Sequence, residues 1–196
     1  LGDVYKRQEE KYYKYLSLNR PVVVRLDAVG ATRTHKYHLV PCDRHQDNFM
    51  DALIQTAEKL SEEYRCTASC GADEINLIFP IAPVGTRQKR LNSQKVSSII
   101  SQKVFVLFNE AFDGDEPIFF AAKAFHIPQE KEDDYIQYRK KSCENTAIQY
   151  LTKDYFSARK RSHKKLPELR EMLIDNDIPI PGYAVNGRVF VNGMRK

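Results

Sequence analysis

The chain predicts an α+β fold in which long helices pack on one sheet. Three observations carry this. From residue 21 the order of elements reads strand, helix, hairpin, helix, strand. Two long stretches, 45–64 and 88–112, place apolar residues at helical spacing. Between them stands a short apolar hairpin, CTASCGADEINLIFP. Long helices between strands of one sheet suggest a sandwich of the split βαβ kind, with the first strand lying beside the hairpin.

Pro21 opens the first strand, Val22 to Leu26, and Asp27 follows it. A polar, His-rich stretch runs to Asp43. The first helix, about His45 to Tyr64, carries Phe49, Met50, Leu53, Ile54, Ala57, Leu60 and Tyr64 on one stripe, with Asp43 or Asp47 suited to cap it. Gly71-Ala72-Asp73-Glu74 joins the two arms of the hairpin. After a loop at Gly85 and Thr86, a second helix spans roughly Gln88 to Phe112, with Val96, Ile99, Ile100, Val104, Leu107, Phe108 and Ala111 on its stripe. DGDEP breaks it, and IFFAAKAFHIP reads as a buried strand stopped by Pro128. The phenylalanines at 105, 108, 112, 119 and 120 read as core. A charged helix follows over 132–156, then a basic turn, then PELREMLID with Pro167 at a helix start. The terminal YAVNGRVFVNG is a hairpin signal, with Asn186-Gly187 suited to its turn.

With 196 residues, 42% of them hydrophobic, the chain can bury one good core or one core with a small appendage. No apolar run reaches membrane-spanning length, so no membrane partner and a cytoplasmic, soluble protein are expected. A net charge of +5 allows an anionic partner without demanding one. Four cysteines lack the regular pattern of a disulfide scaffold and are read as reduced thiols, Cys66 and Cys70 as small buried hydrophobes. Residues 1–8 are set aside: Asp3 to Gln8, DVYKRQ, matches a translated transposon end used in library preparation, so the natural sequence is expected from near Glu9.

Asp27 and Asp73 are the candidate chemistry. Adjacent strands lie roughly 5 Å apart, so an Asp ending the first strand and an Asp at the hairpin tip can share a cation. Mg²⁺ is commonly held by one or two carboxylates plus phosphates and water, and paired ions suit in-line phosphoryl displacement. Ala28, Gly30 and Ala31 leave the backbone open to phosphates. Each Asp is equally suited to a plain turn or cap. Arg159, Lys160, Arg161, His163, Lys164 and Lys165 form the densest basic cluster, either a phosphate-tracking face or a solvated surface. Arg87, Lys89 and Arg90 present the same choice nearer the proposed site.

With these segments in view, the chain resembles the tRNA(His) guanylyltransferase family of 3′–5′ nucleotide polymerases. Arg25-Leu26-Asp27-Ala28-Val29 is similar to the family's Arg-Ile-Asp-Gly-Arg. Ala72-Asp73-Glu74 is similar to its Ser-Asp-Glu. His38, Pro41 and Asp43, then Arg90 with Ser97 and Ser101, then FFAAKAFHIP, follow the family's order. ENTAIQYLTKDYFS and SHKKLPELREML look like its bacterial and archaeal branch. The resemblance covers most of residues 20–175.

The resemblance implies a palm-like (ferredoxin-like) antiparallel sheet with packed helices. It places a catalytic domain over 9–130 and a C-terminal helical extension with a terminal hairpin over 131–196. It implies two Mg²⁺ ions on Asp27, Asp73 and the Ala28 carbonyl. It lines the nucleotide with Asp27, Ala28, Val29, Gly30, Ala31, Thr32, Ala72 and Asp73. Arg90, Asn145, Arg159, Arg161, Lys164 and Lys165 become triphosphate or tRNA contacts. The implied reaction activates a tRNA 5′-monophosphate with ATP or GTP, after which the 3′-hydroxyl of an incoming nucleotide attacks that end. The branch favours repair of 5′-truncated tRNA, and the family suggests a tetramer. Departures fall on nucleotide contacts. The family's Gly is Ala28, its next basic residue Val29, its Lys before Pro Val40, and its Ser Ala72. Its strand Asp and Arg are Ala121 and Lys123. A catalytically silent tRNA- or RNA-binding relative is the alternative reading, and another palm enzyme such as a nucleotide cyclase is a third.

Overall fold

The computed structural model describes residues 15–17, 20–31, 48–80, 91–180, 182 and 187–196. Its strands are β1 (Tyr15–Leu16), β2 (Val22–Ala28), β3 (Thr67–Gly71), β4 (Glu74–Phe79), β5 (Leu91–Asn92), β6 (Phe120–His126), β7 (Arg188–Val191) and β8 (Met194–Arg195). Its helices are α1 (Phe49–Tyr64), α2 (Ser93–Ala111), α3 (Glu132–Tyr155), α4 (Ala158–Arg161) and α5 (Leu166–Ile174). The main sheet is antiparallel, in the order β6-β2-β4-β3-β7-β8, and β1 and β5 form a separate pair. The first strand does lie beside the hairpin, with β6 on its other side.

Alternation along the strands sorts the residues onto two faces. Val22, Val24 and Leu26 of β2 and Ile75, Leu77 and Phe79 of β4 enter the main core, which α1 and α2 cover. Aromatic edges lock the two helices to the sheet: Phe49 meets Phe108 at 5.2 Å between centroids, and Phe108 meets Phe120 at 5.0 Å. On the opposite face Val23, Ile78, Ile127, Ile136 and Val189 make a smaller cluster. The first half of α3 lies there. Further along the same helix, Ala147, Ile148 and Leu151 join the main core with Leu169 and Leu173 of α5.

Several boundaries differ from the sequence reading. Strand β2 continues through Asp27 to Ala28, because the backbone ladder to β4 and β6 extends past the apolar run. Helix α2 begins at Ser93, since Leu91 and Asn92 are held in a ladder with Leu16 and Tyr15. The Asn92 side chain then caps the helix by accepting from the Gln94 amide at 2.8 Å. The proposed caps Asp43 and Asp47, and residues 45–47 of the first helix, lie outside the described residues. Asn186 does too. A hairpin of β7 and β8 turns at Asn192-Gly193, both at positive φ (51° and 80°), and its first strand pairs with β3 in the main sheet. Phe119 is 60% exposed rather than core. It precedes β6, stacks on Phe105 at 5.1 Å, and its carbonyl accepts from the Val29 amide at 2.8 Å.

A fastening at the other end of β6 ties down the segment before β2. The Ser17 amide donates to His126 Nε2 at 2.7 Å, while His126 Nδ1 lies 3.0 Å from the Pro21 carbonyl oxygen.

Candidate active site

Two strands deliver the acidic groups. Asp27 of β2 stands opposite Glu74 of β4, and just beyond it the Ala28 amide donates to the Asp73 carbonyl at 2.8 Å. Asp73 therefore sits at the hairpin tip beside the end of β2. The tip is a two-residue turn, Ala72-Asp73, with Ala72 forced to φ +52°. Most of Asp73 is buried. Burial first, then the charges of Glu74 and Asp27, push its carboxyl up to about 6. The charge of Asp27 is thus among those felt at Asp73, after burial and Glu74.

The same alternation puts Arg25, Asp27, Glu74, Asn76 and Lys123 on one face of the sheet. Arg25 donates through Nε and a terminal nitrogen to one oxygen of Asp27, at 3.0 and 2.7 Å. Glu74 is used differently. It is buried and receives Arg139 of α3 on both oxygens, Nε on Oε1 at 2.7 Å and the terminal nitrogen on Oε2. Asn76 adds a bond to Glu74 at 2.8 Å, and Tyr135 donates to Asn76 at 2.7 Å. Burial opposes the charge on Arg139, but its bond to Glu74 outweighs that and raises its pKa. Burial also pushes Tyr135 up to about 12, so it stays a donor. Glu74 is thus committed to the support beneath the hairpin, leaving Asp27 and Asp73 as the available carboxylates.

Around this pair the expected nucleotide positions differ in exposure. Ala28, Ala31 and Ala72 are buried, while Val29 stands 58% exposed at the turn. Gly30 takes φ +82°, and a side-chain carbon added there would meet nothing within 4 Å. Thr32 and Arg90 lie outside the described residues, as do His35, His38, Pro41, His45, Arg87 and Lys89. A cavity of about 480 Å³ opens between the start of α2 and β6, lined in part by Ser93, Ser97, Ser98 and Lys123. Ser101 turns away from it and donates to the Phe120 carbonyl at 2.8 Å.

The more distant candidates are not all drawn together. Asn145 is half-buried on α3 and, among the described residues, makes no hydrogen bond to either Asp. Arg159 and Lys160 are exposed on α4, whereas Arg161 spends its Nε on the Phe156 carbonyl at 3.0 Å. Lys164 approaches Glu168 at 4.0 Å, and the Lys165 amide donates to that same Glu168 at 2.7 Å. Cys66 and Cys70 are free and buried, with burial pushing both thiols up to about 12.

Among the described residues no group of three or more His, Cys, Asp or Glu is arranged to hold a metal. Two carboxylates and a backbone carbonyl still suit Mg²⁺, which keeps waters and takes its remaining ligands from phosphates. The proximity of two acids, one largely buried and hard to ionise alone, is chemistry that a cation relieves.

A palm-like α+β sheet carrying paired carboxylates at its strand ends is thus the class that fold and site define. Solved structures share this fold. A bacterial tRNA(His) guanylyltransferase-like protein in complex with ATP matches the whole chain and 90% of its own length, at TM-score 0.77 and 18% identity. A bacterial protein of the same description in complex with GTP covers 97% of this chain and 83% of its own, at TM-score 0.69 and 21% identity. The tRNA(His) guanylyltransferase of Saccharomyces cerevisiae covers 98% and 93%, at TM-score 0.71 and 14% identity. The chain has the fold of the tRNA(His) guanylyltransferases. No family model and no curated relative matches its sequence.

Proposed function

We propose that the protein is a Mg²⁺-dependent nucleotidyltransferase that adds nucleotides in the 3′–5′ direction to the 5′ end of tRNA, with ATP and GTP as substrates. The observation that carries this reading is the meeting of Asp27 and Asp73 at one end of a palm-like sheet. The neighbouring structures with ATP and GTP support it. Asp27, Asp73 and the Ala28 carbonyl would hold two ions. Bound Mg²⁺ supplies charge neutralisation of the triphosphate and activation of the attacking oxygen.

The chain's own residues do the rest. Arg25 orients the Asp27 carboxylate, and Glu74, held by Arg139, fixes the hairpin tip that carries Asp73. Open space over Gly30 admits phosphate oxygens to the turn Val29–Ala31. Lys123 supplies a positive shoulder to the cavity beside β6. The exposed Arg159 and Lys160 offer charge for tRNA phosphates. Repair of 5′-truncated tRNA, a tetrameric assembly and a cytoplasmic setting complete the reading.

The test is incorporation of labelled nucleotide into 5′-truncated tRNA. Asp27→Ala and Asp73→Ala are each expected to lower it by roughly 10³-fold, ~4 kcal/mol, while the protein stays folded. Wild-type incorporation by both variants rejects the assignment.

One observation favours a second reading. Two Arg25 donors already occupy an Asp27 oxygen, as in a site that no longer takes cations. A silent RNA-binding relative would bind the truncated tRNA and incorporate nothing, with or without Mg²⁺. Turnover of nucleoside triphosphate in the absence of RNA would instead indicate a cyclase-like palm enzyme.

A further inference from the structure

A second charged hollow stands apart from the carboxylates. It has a volume of about 360 Å³ and lies between α3 and the β7–β8 hairpin. Among the described residues, Lys140, Arg188, Arg195 and Lys196 line it, together with Gly182, Gly187 and Val189. Lys140, Arg195 and Lys196 enter no ion pair among the described residues. Lys140, Arg195 and Lys196 thus bring positive charge to one concavity, beside Arg188. Such an arrangement is stabilised by an anion, and the Arg fork suits phosphate oxygens.

The register gives the hollow its meaning. Asp27 stands opposite Glu74, Glu74 opposite Gly71, and Cys70 opposite Arg188. Arg188 therefore lies at the same end of the sheet as Asp27, three strands away across β4 and β3, or roughly 14 Å at one strand spacing per step. A polyanion lying across these strand ends passes from the carboxylate pair to the hollow.

We propose that this hollow is a second phosphate-binding site, occupied by a backbone phosphate of RNA. It does not depend on the catalytic reading of Asp27 and Asp73, because binding there requires no turnover. The probes are a 5′-monophosphorylated tRNA transcript lacking its first nucleotide, and ATP alone. Filter binding of the transcript at 50, 100 and 200 mM KCl is compared for the wild type and Lys140→Ala/Arg195→Ala. The double variant is expected to bind the transcript about tenfold more weakly at low salt. The slope of log affinity against log salt should become shallower by about two. ATP binding by equilibrium dialysis should be unchanged. Lys140→Arg should retain RNA affinity. Lys196→Ala, which alters no helix or strand, gives an independent route should the double variant melt early. Loss of ATP binding with RNA binding intact would overturn the RNA assignment and identify a free nucleotide as the phosphate donor. RNA and ATP affinities both unchanged, in folded variants, would overturn the site.

Discussion

Asp73 carries a cost that its position imposes. An ordinary Asp carboxyl titrates near 3.8, and in the folded chain burial and two neighbouring acids push it up to about 6. The folded state therefore holds this proton more tightly than the unfolded chain does. Its stability is penalised as pH rises between those two values, fully so above about 6 and not at all below about 4. Asp73→Asn removes the penalty. In metal-free buffer near pH 7.5 the variant should be more stable than wild type by about 1–3 kcal/mol, and near pH 3.5 the two should coincide. Urea melts at the two pH values check this, and a variant no more stable at the higher pH counts against it. The sequence made both Asp residues legible, since each stands where a strand or hairpin ends. It also contained the signal for Arg25, two residues before Asp27 and so on the same strand face, although the reading passed over it. Arg139 had no such signal. Its partner Glu74 lies 65 positions away, and nothing in a charged helix marks one arginine among its neighbours.

At the scale of elements, α3 and the hairpin are joined by a buried charge pair. Removing one member leaves the other uncompensated, which costs far more than the pair contributes. Arg139→Met should destabilise the fold by about 3–5 kcal/mol. Adding Glu74→Gln to it should recover much of that loss, because the stranded charge is gone. Equal melting of the single and double variants would mean that the pair is not what anchors the hairpin. The helical stripes of α1 and α2 and the apolar arms of β3 and β4 were readable because burial has a period. The start of α2 was not, because β5 exists only through its pairing with β1, some seventy-five residues earlier. The sequence reading placed a terminal turn at Asn186-Gly187, of which Asn186 lies outside the described residues. The turn at Asn192-Gly193 comes from the pairing of β7 with β8, while β7 also pairs with β3, a strand more than a hundred residues earlier.

Over the whole molecule, charge sets how nucleic acid would approach. The net charge of +5 is modest, yet exposed basic residues gather on α4 and around the terminal hairpin. If tRNA is the substrate, its affinity should fall by roughly 10³-fold between 50 and 200 mM salt for about six phosphate contacts. Arg159→Glu/Lys160→Glu should make that dependence shallower while leaving thermal stability within about 0.5 kcal/mol. A salt dependence identical to wild type would remove α4 from the binding surface. The class of fold was legible because the order of elements and their periods agree at every level. How the last strands close the sheet was not, since their partners are distant in sequence.

His126 shows what such distant closure entails. The Ser17 amide is a donor, so Nε2 of the ring must accept; the hydrogen therefore resides on Nδ1, facing Pro21. Replacing the ring, as in His126→Ala, removes the acceptor, and amide exchange at Ser17 should quicken while exchange within β2 stays slow. The segment before β2 is thus held twice, by the short β1–β5 ladder and by one tautomer of a histidine whose own strand belongs to the main sheet.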